Sequence, residues 1–230
     1  MSPTPIPAVT MPDAIFDTLR SRIIDQSEPP GATITESAVA LRFGVARPTA
    51  RLAIERLVAD GLLRREAHHA ARIPELSRDD IVDLYATRRL IETAATATLA
   101  RGGTIPADAL AAHRSLLDVA RADGPFAALD AAFHRALVAG QPSPRLARMH
   151  AALMGEIELC IGQVQAHHLM PVRDVAAQHQ RILDAVTAGD AALAAEVAGT
   201  HIDTAGTALL AHYDALGSSS AHRAHVETTH

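Results

Sequence analysis

Four side chains in the second half of the chain have the types and spacing to bind one metal ion. Asp130 and His134 are four residues apart, which places them on one face of a helix, so both can reach the same ion. His179 and His201 each lie in the middle of a predicted helix among apolar neighbours. A buried polar group without a partner costs on the order of 1–3 kcal/mol, and one shared divalent ion would satisfy all four side chains.

The number of histidines leaves a second interpretation open. The chain has 13 of them, and a single histidine is more often a surface residue or an ordinarily hydrogen-bonded one. If the four residues form one site, three imidazoles and one carboxylate suit zinc, with nickel and manganese as alternatives. If the ion is five- or six-coordinate, the four protein ligands would leave one or two of its positions open. A small carboxylate could fill them.

The stretch 44–63 is a second candidate site, and it predicts a turn, a short helix and an apolar run. Arg47 and Arg51 are four apart and therefore project from one side of that helix, with Thr49 between them. The residues expected to face a small core lie on another side: Leu52, Ala53, Leu57 and Val58. A helix with a basic front and an apolar back is typical of one that enters a DNA groove; the alternative is a surface helix with incidental arginines.

Pro48 determines where we expect this helix to begin. Proline is well suited to the first helical position, and the residue before a proline resists the helical conformation. We therefore predict that the helix begins at Pro48 and that Arg47 is its N-cap.

The flanking elements predict a winged helix-turn-helix with a small β-hairpin over residues 11–74. Apolar residues at four-residue steps indicate a helix over 12–25, and Thr35 is the predicted N-cap of a short helix over 36–43. Strands are predicted over 62–65 and 71–73. Residues 1–10, with three prolines, are expected to form a flexible arm.

From Ser77 onward the pattern is helical and almost without strands. Ser77 is the predicted N-cap of a long helix that ends at Gly102 and Gly103. Further helices are predicted over 107–121, 125–139, 145–165, 172–188 and 191–212. We therefore expect a mainly α protein in which residues 75–214 form an antiparallel bundle of six or seven helices, followed by a disordered tail over 215–230.

Composition restricts the class of protein. Of the 230 residues 48% are hydrophobic and 20% charged, which is enough apolar material for a sizeable core. One cysteine cannot form an internal disulfide, and no apolar run approaches a membrane span of roughly 20 residues, so we expect a cytoplasmic protein without a membrane segment. The net charge of −5 is uneven, because residues 11–73 hold nine arginines against eight acidic residues. This distribution suits a module that binds DNA with one face only.

Residues 15–73 resemble the DNA-binding domain of the GntR family of bacterial repressors. The motifs that carry the resemblance are the PPG turn at 29–31, Thr35-Glu36, LRFGVARPTAR at 41–51 and LVADGLLRR at 57–65. The residues that the resemblance implies in contact with operator DNA are Thr35, Arg47, Thr49, Arg51 and, at the hairpin tip in the minor groove, His68. The chain departs from the family at Ala46, at Ser37, where many relatives have an arginine, and in a wing without the usual glycines.

Residues 79–212 resemble the all-helical FCD domain of the FadR subfamily in its metal-bearing form. The first-helix motif LYATRRLIE at 84–92 and the series Asp130, His134, His179 and His201 carry this resemblance. It implies that the four residues hold a divalent metal ion and that Arg88 binds a small carboxylate effector. A salt bridge to Glu92 is the alternative role for Arg88.

Together these features predict a homodimeric transcriptional regulator, most often a repressor in such families, rather than an enzyme. Two-fold pairing doubles the contact that one recognition helix makes with an operator. Two alternatives stay open at this point. One is a metal-dependent hydrolase fused to a DNA-binding head. The lack of a spare general base beside the four ligands argues against it. The other is a sensor of the metal itself.

Overall fold

In the computed structural model, which describes residues 10–67 and 69–227, the protein is mainly α-helical with one small sheet, as predicted. The elements follow in this order: α1 Met11–Ile24, β1 Thr33–Ile34, α2 Glu36–Phe43, α3 Arg47–Ala59, β2 Ala71–Arg72, α4 Arg78–Gly102, α5 Ala107–Arg121, α6 Ala127–Ala139, α7 Pro144–Ala166, α8 Val172–Thr187 and α9 Ala191–Glu227. The chain divides into two compact units, one ending at Glu75 and the other beginning at Leu76. Within the described ranges, none of the helices is long and apolar enough to cross a membrane.

The first unit is built on three helices whose apolar faces meet. Ile15, Leu19 and Ile23, the residues at four-residue steps, are buried where α1 packs against α3. Thr10 begins α1 with a capping box, because its hydroxyl accepts from the backbone N–H of Asp13 while the Asp13 carboxylate accepts from the backbone N–H of Thr10. The predicted helical periodicity of this segment is confirmed.

The turn between α2 and α3 forms where the sequence predicts it. The hydroxyl of Thr35 accepts from the backbone N–H of Ala38 at 3.2 Å and so caps α2. Gly44 ends α2 with φ at 64°, a left-handed conformation that glycine adopts without strain.

Helix α3 begins one residue earlier than predicted. Ala46 is the N-cap, Arg47 is the first helical residue and Pro48 lies inside the first turn. The prediction that Arg47 caps the helix is therefore wrong. The carbonyl of Ala46 accepts from the backbone N–H of Thr49 at 3.0 Å, and this bond extends the helix despite the reluctance of a residue before proline to be helical.

The buried face of α3 is also rotated from the predicted one. Its buried residues are Ala50, Ala53, Ile54 and Leu57, which follow the i, i+3, i+4, i+7 stripe of an amphipathic helix. Leu52 lies off that stripe and is 57% exposed, so its predicted core position is wrong.

The small sheet differs from the predicted hairpin in its first strand. Strand β1 pairs antiparallel with β2, with Thr33 opposite Arg72 and Ile34 opposite Ala71. The predicted strand over 62–65 is present only as a single bridge between Arg64 and Arg72. A two-residue strand shows no alternation in sequence, so β1 had no local signal.

The second unit contains six helices in the part of the chain that the structure describes, α4 to α9. Ser77 caps α4 with a capping box, and Gly103 ends it with φ at 61°. Helix α4 packs along α9, and consecutive helices pack in the pairs α5 with α6, α6 with α7, and α8 with α9. Short connections between neighbouring helices produce this arrangement.

The C-terminal segment differs from what the sequence predicts. Helix α9 continues to Glu227, whereas a disordered tail was predicted from residue 215. No proline follows Pro171 in the sequence, so no proline interrupts α9. Of the predicted arm, residues 1–9 lie outside the described residues, as does His68.

Candidate functional sites

Asp130, His134, His179 and His201 come together in the core of the second unit. Each of the four is buried, and one ligand atom from each lies within 4.8 Å of all the others. Helix α6 supplies the Asp-x-x-x-His pair, while α8 and α9 each supply one histidine. Helix α8 packs against α9, and α6, α8 and α9 all pack against α4, so residues far apart in sequence meet at one point.

The closest contacts in this cluster join ring nitrogens and a carboxylate oxygen. The Nε2 atoms of His134 and His201 are 3.0 Å apart. Asp130 Oδ1 lies 3.0 Å from His179 Nε2 and 3.7 Å from His134 Nε2. All four side chains therefore direct their ligand atoms toward one centre.

Neighbouring residues hold two of the imidazoles in the tautomer that a metal needs. His134 Nδ1 lies 2.6 Å from Glu92 Oε2, an ion-pair contact, and His201 Nδ1 lies 2.7 Å from Gln178 Oε1. Both oxygens accept hydrogen bonds, so both contacts favour the tautomer with the proton on Nδ1. The two Nε2 atoms then face each other with lone pairs, an arrangement that only a shared cation or an added proton can stabilise.

Further atoms of the cluster lack partners. Among the described residues, Asp130 Oδ1, His134 Nδ1 and both ring nitrogens of His179 have no aligned hydrogen-bond partner. The His179 ring stacks on Phe133 with centroids 3.9 Å apart, which fixes its plane. Since unsatisfied buried polar atoms are rare, the donor set fits a divalent metal ion.

The pKa values agree with a metal-binding donor set. Burial lowers the pKa of His179 to about 4, and burial together with the neighbouring imidazoles holds the pKa of His201 well below its usual range. Burial would raise the pKa of Asp130, but the imidazoles of His134 and His179 outweigh it and keep that carboxyl ionised. These residues therefore present two neutral imidazoles and a carboxylate near neutral pH.

Glu92 links this cluster to Arg88. Its Oε1 accepts from Arg88 Nε at 2.7 Å and lies 3.1 Å from His150 Nε2. The salt bridge considered as the alternative for Arg88 is thus present. Arg88 has a second feature, because its Nη2 atom is buried without a partner in the described part of the chain.

A narrow cavity lies between Arg88 and the cluster. Arg88, Tyr85, Asp130 and His201 line one part of it, and its volume is about 10 Å³, which accommodates little more than one water-sized sphere. The structure therefore brings Arg88 to the same space as two of the four cluster residues.

Sequence reasoning missed four supporting residues: Tyr85, Glu92 as a partner of His134, His150 and Gln178. The i, i+4 spacing of Arg88 and Glu92 was a usable signal for one of them. Tyr85, His150 and Gln178 had no such signal in the sequence, because their partners come from distant helices.

In the first unit, Arg47 and Arg51 are exposed on α3 and Thr49 is half-buried between them. The Arg51 side chain forms an ion pair with Glu55 at 2.6 Å, and Arg47 donates to the hydroxyl of Ser37. Both guanidinium groups lie at the surface, where another anion can compete for them. Thr35 uses its hydroxyl to cap α2.

Comparison with known proteins assigns both units. Residues 12–73 match the model of bacterial regulatory proteins of the gntR family, and residues 83–204 match the FCD domain. The probable D-xylose utilization operon transcriptional repressor of Paenarthrobacter nicotinovorans is 29% identical over 196 residues, which are 84% of this chain and 86% of the relative. The uncharacterized HTH-type transcriptional regulator BphR of Paraburkholderia xenovorans is 28% identical over 214 residues, 88% of this chain and 87% of the relative.

Solved structures give the same result. The structure described as a "putative transcriptional regulator GntR from Rhodococcus sp. RHA1" has a TM-score of 0.67 at 25% identity, covering 87% of this chain and 97% of that one. McbR/YncC of E. coli has a TM-score of 0.72 at 17% identity, covering 90% and 100%, and shows the shared fold. The family consists of regulators rather than enzymes. The chain therefore belongs to the GntR family of bacterial transcriptional regulators and carries a C-terminal FCD domain.

Proposed function

We propose that this protein is a transcriptional repressor of the FadR subfamily, of the metal-bearing type, whose operator binding a small carboxylate controls. The observation that carries the proposal is Arg88, which lines the same cavity as Asp130 and His201 and whose Nη2 atom has no hydrogen-bond partner among the described residues. A guanidinium beside a metal-binding donor set suits an anion with two oxygens. Repression is also the role in the name of the P. nicotinovorans relative.

Residues 11–74 are the proposed DNA-binding domain. The exposed guanidinium groups of Arg47 and Arg51, with Thr49 between them, would enter the major groove at the start of α3. Thr35 lies at the N-terminus of α2, where backbone N–H groups can meet a phosphate. His68 stays the proposed minor-groove contact, and it lies outside the described residues.

Residues 75–214 are the proposed metal- and effector-binding domain. Asp130, His134, His179 and His201 would hold the ion, with zinc the first choice and nickel or manganese the alternatives. When bound, the ion supplies a Lewis acid that can anchor one oxygen of a carboxylate. Arg88 would donate to the other oxygen, while Glu92 holds both Arg88 and His134 in position.

The proposed regulator is a homodimer that pairs through the helical domain. One recognition helix covers only a few base pairs, and two-fold pairing doubles that contact. The effector controls DNA binding if it binds one arrangement of the two heads better than the other.

Fluorescence anisotropy on DNA from upstream of the protein's own gene tests this function. We expect binding that weakens steeply with added salt, because each phosphate contact releases counterions. We also expect a small carboxylic acid to reverse it. Absence of binding at about 50–100 mM salt would contradict the DNA-binding role. Binding that no carboxylic acid changes would contradict the effector role.

Elemental analysis of the purified protein tests the metal. One tightly held ion per chain supports the proposed cofactor. An ion that enters only at added metal concentrations, and that by itself switches DNA binding, would make the protein a metal sensor instead.

A further inference from the structure

Two side chains that line the cavity, Arg88 and Tyr85, each have a buried donor without a hydrogen-bond partner among the described residues, namely Arg88 Nη2 and the Tyr85 hydroxyl. Arg88 is 1% exposed and Tyr85 7% exposed, and both lie on α4 three residues apart. Burial raises the pKa of Tyr85, so its hydroxyl keeps the proton and remains a donor. Unpaired buried donors of this kind are rare and mark a place where a ligand accepts hydrogen bonds.

The position of Tyr85 depends on a glycine in α9. A Cβ atom at Gly206 would lie 2.7 Å from Cδ1 of Tyr85. Glycine in a helix interior costs roughly 1 kcal/mol relative to alanine. The close approach of α9 and α4 at this point therefore holds the ring of Tyr85 beside the cavity.

Apart from Arg88, Tyr85, Asp130 and His201, the cavity wall is apolar. The apolar part consists of the side chains of Phe126, Ile161, Val164, Met170, Val175 and Ala205. These side chains offer no hydrogen bond to a ligand. Each ligand hydroxyl placed against them would lose its water without a replacement, at a cost on the order of 1–3 kcal/mol.

The small cavity lies next to a larger cleft. Phe126 and Met170 also line an outer cleft of about 710 Å³ at the end of the bundle, so these two side chains separate the two spaces. Methionine is unbranched and adapts its shape readily. A ligand larger than water would therefore extend between Phe126 and Met170 toward the cleft.

We propose that the effector is a monocarboxylate with an apolar, hydroxyl-poor body, held at its head by Arg88 and Tyr85 and along its body by Phe126 and Met170. This inference rests on the proposed function, because it specifies the ligand of the same cavity. The carboxylate accepts from both donors, which the carboxylate's four lone-pair sites allow. A sugar acid of the same charge is disfavoured by its hydroxyl groups.

The test compares ligands on the metal-loaded full-length protein by thermal shift and calorimetry. Hexanoate and gluconate share chain length and charge, but the body of gluconate is covered with hydroxyl groups. We expect hexanoate and benzoate to raise the unfolding temperature, and gluconate and the uncharged hexanamide to leave it unchanged. If gluconate binds as tightly as hexanoate or more tightly, this inference is overturned while the carboxylate-controlled function stands. If neither hexanoate nor benzoate binds, this inference is overturned, while the carboxylate-controlled function is overturned only if no carboxylic acid changes DNA binding.

Two variants, each with a matched control, test the roles of Tyr85 and Met170 in ligand binding. Tyr85→Phe removes only the hydroxyl and is expected to weaken hexanoate binding about tenfold, while Tyr213→Phe, on the exposed part of α9, leaves it unchanged. Met170→Gln is expected to weaken hexanoate binding, with the exposed Met149→Gln as its control. Because Tyr85→Phe also removes an unpaired buried hydroxyl, it should not lower the unfolding temperature of the ligand-free protein. Equal hexanoate affinity in Tyr85→Phe and wild type would overturn the role of the hydroxyl.

Discussion

The Nε2 atoms of His134 and His201 lie 3.0 Å apart in the core of the helical bundle, and the Nδ1 atom of each ring faces an oxygen acceptor. Two neutral imidazoles in these tautomers turn lone pairs toward each other. A metal ion or a proton between the two Nε2 atoms therefore stabilises this arrangement.

Metal content should follow this geometry. We expect one ion per chain in wild type and its loss in His201→Gln, since three ligands bind a divalent ion far more weakly than four. Removing the ion with a chelator should lower the unfolding temperature by several degrees, because a ligand at about 100 times its Kd contributes about 2.7 kcal/mol. His113→Gln is the control, a buried histidine bonded to Gln180 outside the cluster. Equal metal content in all three proteins would refute the site.

Gln178 is expected to tune the metal without binding it. Its Oε1 orients His201 from 2.7 Å, and loss of such a supporting contact typically weakens metal binding about 10–100-fold. Gln178→Ala should therefore raise the Kd for zinc in a competition titration with a coloured chelator. Gln180→Ala, two residues along α8, should leave it near the wild-type value, and an equal effect of both variants would contradict the role of Gln178.

Acidification should release the ion, beginning at His134. Burial lowers the pKa of His134, but the Glu92 carboxylate outweighs it and raises the pKa above the usual 6.5, whereas burial lowers the pKa of His179 to about 4. A metal binds only the deprotonated imidazole, so affinity is fully present at high pH and falls as the pH drops through the pKa of His134. Dialysis over a pH series followed by metal analysis measures this. Full retention of the ion down to about pH 4 would contradict it.

The recognition helix should depend on Arg51. Arg51→Ala is expected to weaken operator binding by about 1–3 kcal/mol and to reduce the salt dependence, as measured by anisotropy. Glu55→Ala should have the opposite effect on affinity, because it removes the carboxylate that holds Arg51 at 2.6 Å. Arg181→Ala removes an equal, exposed charge from the helical unit and should change neither quantity. Weakening by Arg181→Ala to the same extent would show a general charge effect.

Two glycines of α9 should respond differently to alanine. At Gly206 the new Cβ would meet the ring of Tyr85 at 2.7 Å, so Gly206→Ala should destabilise the protein by about 1–3 kcal/mol. At Gly199 it would meet the guanidinium of Arg89 at 2.9 Å, the end of a flexible surface side chain that pairs with Asp203, and alanine favours the helix. Denaturant unfolding should rank Gly199→Ala at or above wild type, and the reverse ranking would contradict the close packing at Tyr85.

The sequence by itself determined most helix boundaries and the residues that could bind a metal. Ser77, Gly44 and Gly103 act through their own backbone and their nearest neighbours, so their capping roles were predictable and are confirmed. The spacing of Asp130 and His134 likewise placed both on one face of α6. Such features depend on contacts within one helical turn, which the local sequence contains.

The tertiary structure decided which residues contact each other across the fold. It paired β1 with β2, turned Leu52 outward, and placed Glu92 and Gln178 behind the imidazoles of His134 and His201. It also brought Tyr85 and Arg88 to the lining of one small cavity. These relationships join residues from helices far apart in the chain, and they depend on how side chains from several helices pack, which no local pattern records.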